Sequence, residues 1–283
     1  MSKFIVLGAG GVLGKTLCRD LTNDGSEVVP VFRNDFDLLN YSEVNDFFKA
    51  IGDATVVNCV AYMPADKCEE NILDSQKVNV DIVENLSNTL SVFPQISLIQ
   101  FSSDFIFDGK STSPYTEDSK PNPLNVYGQH KVEAERIVQE KMGERGKIIR
   151  FASLVSHSQE RKTFLEKVID RAKTADELKL VSDLIISTAT STLISKIISN
   201  VRNIQKPIIH AVHEGQTTWF SIATAALNEL RITTPRVSVD SSSFPTVARR
   251  PLYSVLKPSE EVANIDPRNW EVAVREYALN HLG

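Results

Sequence analysis

Residues 4–14 read FIVLGAGGVLG. A short apolar run passes straight into glycines, the pattern of a buried strand ending in a tight turn, and a helix is predicted over residues 12–23. The glycines fall at Gly8, Gly11 and Gly14, with Gly10 extra. Glycine lets the backbone turn sharply and lets a pyrophosphate approach the amides at a helix N-terminus, where the dipole favours negative charge. A turn of this kind can also need glycine for packing alone. Set between a strand and a helix, the spacing points to a dinucleotide held by Gly8, Gly11, Val12 and Leu13.

Outward from that turn the pattern repeats. EVVPVF at 27–32 reads as a second strand, ATVVNCVAY at 54–62 as a third, ISLIQFSS at 96–103 as a fourth and KIIRFAS at 147–153 as a fifth. Helical patterns lie between them, including a long one over 74–93 that carries Asn79. Such alternation means an α/β fold with a parallel, doubly wound sheet of Rossmann type. Ligands bind such sheets at the carboxyl ends of the strands, which here offer residues 58–62 and Ser102, Ser103 and Asp104. The end of the second strand reads the adenosine ribose. A carboxylate there suits the hydroxyls of NAD, whereas this chain has Phe32 and then Arg33, a cation suited to a 2′-phosphate. NADP(H) is therefore the expected cofactor, with NAD(H) second. Asp37 and Leu38 open a segment expected to pass under the adenine.

Further on stands PNPLNVYGQHKVEAE, residues 121–135. Its prolines stop any upstream helix, and a new amphipathic run begins near Tyr127. Residues four apart share a helix face, so the Tyr127 hydroxyl and the Lys131 ammonium can serve one site. A cation beside a phenol favours phenolate and is expected to bring the tyrosine below its usual value of about 10. That would make a proton donor and acceptor usable near neutral pH.

The regular alternation loosens after residue 150. Residues 1–150 are expected to form the dinucleotide-binding domain, catalytic residues included. Residues 151–283 are expected to form a smaller substrate-binding lobe, segments of which can return to the sheet. Residues 161–179 are a charged helix-like run, and NWEVAVREYALNHL near the C-terminus is amphipathic at helical spacing. Arg249 and Arg250, wedged between FPTVA and PLYS, suit an anionic group such as a diphosphate. His130 is most simply helix surface, and His210 a strand histidine at a domain edge.

Composition bounds the partners. The 283 residues are 42% hydrophobic and 24% charged with a net charge of −5, which gives no electrostatic case for nucleic acid or an anionic membrane. No apolar run is long enough to span a bilayer. Cys18, Cys59 and Cys68 are odd in number and lack metal-ligand spacing, so free thiols in a reducing cytoplasm and no bound metal are expected. A homodimer is compatible with the sequence but not fixed by it.

Several separated motifs agree with one family. GAGGVLG, VVNCVAYMPADKCEE, FSSDFIFDG, PYTEDSKPNPLNVYGQHKVEAE and FPTVARRPLYSVLKP resemble, in order and across almost the whole chain, the dTDP-4-dehydrorhamnose reductase family of extended short-chain dehydrogenases. The resemblance implies reduction of a nucleotide-linked 4-keto-6-deoxysugar with NADPH or NADH. It implies catalytic roles for Ser103, Tyr127 and Lys131, cofactor contacts at Gly11, Val12, Leu13, Asp37, Leu38, Val60, Ala61 and Tyr62, and substrate contact at Asp104. Where family members commonly carry Arg-Thr-Ser-Trp, this chain has Arg150, Phe151, Ala152 and Ser153, leaving Ser153 as the substrate contact of that segment. A second sugar-gripping stretch is represented only by residues 183–189. Two rivals remain open: a non-catalytic NADP-binding regulatory subunit similar to the β subunit of methionine adenosyltransferase, and an epimerase-reductase using an exposed Cys68 for proton transfer.

Overall fold

The computed structural model describes residues 2–158 and 162–282. Strand β1 (Lys3–Leu7) shows why its sequence is apolar throughout: Phe4 and Val6 face one core, Ile5 and Leu7 the other. The chain continues through α1 (Val12–Asn23), β2 (Glu27–Val31), α2 (Tyr41–Lys49), β3 (Ala54–Asn58), α3 (Ala65–Glu70) and α4 (Ile72–Gln76). A π-helical turn (Lys77–Asp81) leads into α5 (Ile82–Ser91), β4 (Ile96–Ser103), α6 (Val126–Met142) and β5 (Gly146–Phe151). Beyond these come β6 (Leu154–Val155), α7 (Phe164–Ala172), β7 (Leu178–Val181), β8 (Ile185–Ile186), β9 (Ala189–Thr190), α8 (Ser191–Ser199) and β10 (Ile208–His210). The last elements are α9 (Trp219–Glu229), β11 (Arg236–Val239), β12 (Tyr253–Ser254), α10 (Glu260–Ile265) and α11 (Trp270–His281).

Six strands form one parallel sheet in the order β2–β1–β3–β4–β5–β10. The chain leaves β1 on one side for β2 and returns on the other for β3. The crevice outside the carboxyl ends of β1 and β3, where Leu7 pairs with Asn58, is thus a topological switch point. Helices α5 and α6 cover one face with Leu86, Leu90, Ala134 and Val138. Helices α1 and α8 cover the other with Leu17, Leu21, Leu193 and Ile197. Burying each such side chain contributes about 1.5–3 kcal/mol, so a charge at Ile197 would open that face. A separate core gathers Leu165, Leu180, Ile222, Leu227 and Val274 around α7, α9, α11 and the two-stranded sheet β7–β11. Among the described residues no helix is long and apolar enough to cross a membrane.

The expected helix over 12–23 and strand over 96–103 occur as read. Other expectations need correction. The third strand stops at Asn58, because the Asn58 side chain accepts from the Val60 amide and turns the chain. The helix expected over 74–93 is interrupted by the π turn, which swings Asn79 inward to bond both the amide and carbonyl of Tyr62. The charged run narrows to α7, started by a Thr163–Glu166 capping box; Arg161, its first residue, lies outside the described residues. Helix α8 was not expected at all. It and β10 carry residues 191–210 back onto the sheet.

Candidate active site

At the switch point the turn after β1 is built from its glycines. Gly8 holds φ +74, and a Cβ on Gly14 would lie 2.3 Å from the Gly8 carbonyl oxygen. Gly14 therefore lets α1 press against the strand. Gly11 caps α1 without a side chain, and no acidic residue occupies the first turn. The helix thus offers its first amides and dipole to the crevice uncompensated, and the glycine cradle leaves room for a pyrophosphate. Gly11, Val12 and Leu13 line a cleft of about 490 Å³, with Val60 and Ala61 in the same lining. Gly8 shapes the turn from behind. These residues fit a dinucleotide.

The segment after β2, where the sequence leads us to expect the adenine, is looser. Phe32 lies 3.7 Å from where a Gly10 Cβ would stand, and Asp35 accepts from the Phe32 amide. Arg33 is exposed just beyond β2, outside the cleft. Asp37 spends its carboxylate on the Leu39 amide, and the Leu38 carbonyl accepts from Asn85. Tyr62 is half-buried and fixed by Asn79, outside the cleft lining.

Helix α6, which carries Tyr127 and Lys131, is positioned by packing. Asn125 caps α6 by accepting from the Gly128 amide at 2.8 Å. A Cβ on Gly128 would sit 2.1 Å from the Phe105 carbonyl oxygen, so glycine brings the helix start against the end of β4. Tyr127 and Lys131 then both face the cleft, 6% and 3% exposed, with the Lys131 nitrogen 5.5 Å from the Tyr127 ring centroid. Lys131 Nζ donates to the Phe101 carbonyl at 3.2 Å, and the Tyr127 hydroxyl points at Met63 Sδ, 3.7 Å away.

The expected drop in the Tyr127 pKa is not found. Burial holds the phenol well above its usual range, helped by Asp104 and Cys68. Burial also pushes Lys131 down to about 8, against the opposing pull of Cys68 and Glu135. Desolvation disfavours both charged forms, and in a pocket this dry it outweighs their mutual effect. In this state Tyr127 is a neutral phenol, already the form that donates a proton.

Ser103, at the end of β4, donates to Asp104 Oδ1 at 2.9 Å and accepts from the Phe105 amide at 3.2 Å. Asp104 is 4% exposed and also accepts from Ser254 at 2.6 Å; burial raises its carboxyl to about 6 despite these donors. Ser153 holds φ +21, and its buried hydroxyl faces the cleft region without a partner.

The two arginines part company. Arg250 lines the cleft and pairs with Asp66 at 3.2 Å, its Nε buried and unpaired. Arg249 is exposed and meets the site only through its backbone carbonyl, which accepts from Asn125. Two further expectations are overturned. Cys68 is fully buried on the inner side of α3, where its thiol is directed at the Tyr62 and Pro64 carbonyls. His130 is buried as well, bonded through Nδ1 to Ser75 at 2.8 Å, because α4 packs over that face of α6.

Sequence reasoning missed Met63, Lys162, Trp219 and Ser254 in the cleft lining. Trp219 packs edge-on against Phe164, ring centroids 4.5 Å apart, at the start of α9. Thr218 caps that helix by accepting from the Ser221 amide, a signal legible in GQTTWFS, but nothing local says which way the indole faces.

Comparison with known proteins now bears on this geometry. The family described as RmlD substrate binding domain matches residues 2–282. The chain is 31% identical over 278 residues to the spore coat polysaccharide biosynthesis protein SpsK of Bacillus subtilis (strain 168), covering 98% of this chain and 97% of that protein. A crystal structure of a dTDP-4-dehydrorhamnose reductase from Clostridium acetobutylicum superposes with a TM-score of 0.88 at 28% identity, covering 97% of this chain and 98% of that one. A dTDP-4-dehydrorhamnose reductase from Bacillus anthracis, solved in complex with NADP, shares the fold with a TM-score of 0.89 at 22% identity, over 99% of each chain. With the family matched across nearly its full length and the glycine turn, Ser103, Tyr127 and Lys131 gathered at one sheet edge, this chain belongs to the RmlD family of extended short-chain dehydrogenase fold.

Proposed function

We propose that this protein reduces the C4 ketone of a nucleotide-linked 4-keto-6-deoxysugar, dTDP-4-dehydro-L-rhamnose or a close relative, with NADP(H) preferred and NAD(H) accepted. It is an oxidoreductase, and several of its relatives are named as reductases of dTDP-linked sugars. The observation that carries the reading is the convergence of Tyr127, Lys131 and Ser103 on the same cleft as the uncapped start of α1.

The bound nicotinamide would supply hydride to the ketone carbon. The chain's own residues do the rest. Gly11, Val12 and Leu13 would hold the pyrophosphate at the α1 N-terminus, and Lys131 the nicotinamide ribose. Ser103 would bond the substrate carbonyl oxygen, and Tyr127 would protonate it as hydride arrives, with the positive charge of Lys131 stabilising the phenolate left behind. Arg250 would meet the diphosphate, and Trp219, in the same cleft lining, would offer the sugar an aromatic face that residues 150–153 lack. The lobe formed by residues 151–283 would receive the sugar, and the reaction would run in the cytoplasm. The epimerase-reductase alternative loses its proton-transfer group, since Cys68 is buried among carbonyls.

NADPH oxidation against a panel of dTDP-, UDP- and GDP-linked 4-keto-6-deoxysugars tests the reading. Turnover with the dTDP-linked 4-ketone and little with the others is expected. NADPH binding without oxidation by any of them would favour a regulatory subunit.

A further inference from the structure

A serine hydroxyl has one hydrogen, and in this structure the hydrogen of Ser103 is already committed. It goes to Asp104 Oδ1 at 2.9 Å, while the Phe105 amide fills an acceptor position on the same oxygen at 3.2 Å. In that arrangement Ser103 has nothing to donate to a substrate carbonyl. Asp104 is buried, lines the cleft and takes a second hydroxyl, that of Ser254, on Oδ2 at 2.6 Å. Around it stand those two hydroxyls from β4 and β12, the amides of Asp104 and Phe105, and the Tyr127 phenol of α6. Lys131, Lys162 and Arg250 line the same cleft, but they are bonded to the Phe101 carbonyl, Asp170 and Asp66, and among the described residues no cation is ion-paired with Asp104.

We propose that Asp104 is a positioning residue whose protonation state decides where the Ser103 hydrogen points: captured by the carboxylate when Asp104 is ionised, released to the substrate carbonyl when Asp104 is protonated. The inference rests on the reading of Ser103 as the carbonyl donor. Protonation at Oδ1 turns the carboxyl into a donor to Ser103 and frees the serine hydrogen outright. Protonation at Oδ2, toward Ser254, leaves a neutral acceptor at Oδ1, and a bond to a neutral acceptor is about half as strong as one to a carboxylate. Either way the hydroxyl can turn to the cleft. No proton is consumed in the switch: Asp104 exchanges with solvent between turnovers, and Tyr127 remains the group that protonates the alkoxide. Burial holds the Asp104 carboxyl near 6, so both forms are populated close to neutrality.

Two measurements test this. The first needs no substrate: NMR of the apo protein labelled at aspartate side-chain carboxyls. One carboxyl should titrate near 6, vanish in Asp104→Asn, and titrate higher in Ser103→Ala, where a donor to the carboxylate is lost. The inference is overturned if the Asp104 carboxyl titrates in the ordinary range, or if Ser103→Ala leaves its midpoint unmoved. The second is the pH profile of kcat/KM with dTDP-4-dehydro-L-rhamnose. The wild type should lose about tenfold as pH rises from 5 to 7, below the range in which Lys131 changes charge. Asp104→Asn should be flat over that range, because a neutral carboxamide can donate to Ser103 at every pH, and Ser103→Ala should be low and flat. If Ser103→Ala turns over normally, the reading of Ser103 fails and the inference with it. If Ser103→Ala is impaired while Asp104→Asn keeps the wild-type decline, the inference alone fails.

Discussion

The two ends of the cleft are built differently. At the end that holds Tyr127 and Lys131 the side chains are buried, Ser103 is half-buried, and all three are geometrically determined: a Cβ on Gly128 would strike a backbone oxygen, Lys131 is anchored on the Phe101 carbonyl, and Ser103 has both a donor and an acceptor partner. Beyond β2, at the end proposed for the adenine, Phe32 is 48% exposed and Arg33 is exposed too, and Asp35 and Asp37 bond amides of their own turns. Chemistry requires atoms fixed to fractions of an ångström. Discrimination between two cofactors requires only a charge in the right neighbourhood. The protein spends its packing on the first.

That contrast can be broken or sharpened by experiment. At the dry end, Tyr127→Phe keeps the ring but removes the proton donor, and kcat should fall about 10²- to 10⁴-fold with NADPH affinity nearly unchanged. Steady-state kinetics with calorimetric titration of NADPH checks both halves. Elsewhere in the interior, burial pushes His210 and His213 down to about 4, below the usual histidine value near 6.5. Their folded-state values are depressed, so the stability they lend is fully present above about 6.5 and is lost as pH falls toward 4. The melting temperature should therefore drop between pH 7 and 5, with each histidine contributing at most about 2 kcal/mol to the loss at pH 5. An unchanged Tm over that range would mean the interior accommodates charged histidines. Midway along the cleft, Arg250→Ala should weaken nucleotide-sugar binding about tenfold, the lower end for a charge-assisted contact, because Arg250 is half-exposed and already shares itself with Asp66. Calorimetry showing unchanged affinity would remove it from the site. At the open end the effect should be smallest: Arg33→Ala should raise the KM for NADPH roughly two- to fivefold and leave that for NADH alone, as befits an exposed ion pair. Equal movement of both constants would take Arg33 out of cofactor choice.

The same division governs what could be read from the sequence. Strong local signals gave correct element ends for the helix over 12–23 and for ISLIQFSS over 96–103, and FIVLG, read over 4–8, forms a strand displaced by one residue at each end, Lys3–Leu7. Helix α8 carried a signal too. Leu193, Ile194, Ile197 and Ile198 recur at helical spacing behind the Thr190 cap, but isoleucine-rich runs suit a strand equally well until tertiary packing against α1 decides. What stayed illegible depended on neighbours far along the chain. His130 and Cys68 sit among polar residues in sequence, and only the packing of α3 and α4 on α6 buries them. The adjacent Arg249 and Arg250 look equivalent, yet the backbone sends one to solvent and the other into the cleft. The Tyr127 pKa was misjudged because spacing reveals a neighbouring cation but not the dryness of the pocket.

The central proposal is that the cleft of Ser103, Tyr127 and Lys131 would place a reduced nicotinamide to pass hydride to C4 of a nucleotide-linked sugar. Its most direct test follows the hydride itself. NADPH deuterated at the transferring position of the nicotinamide should be incubated with dTDP-4-dehydro-L-rhamnose and the product examined by NMR. One deuterium should appear at C4 of the sugar, placed there by the wild type and at least a hundredfold more slowly by Tyr127→Phe. Binding of both ligands without label transfer, or equal transfer by the two proteins, would contradict it.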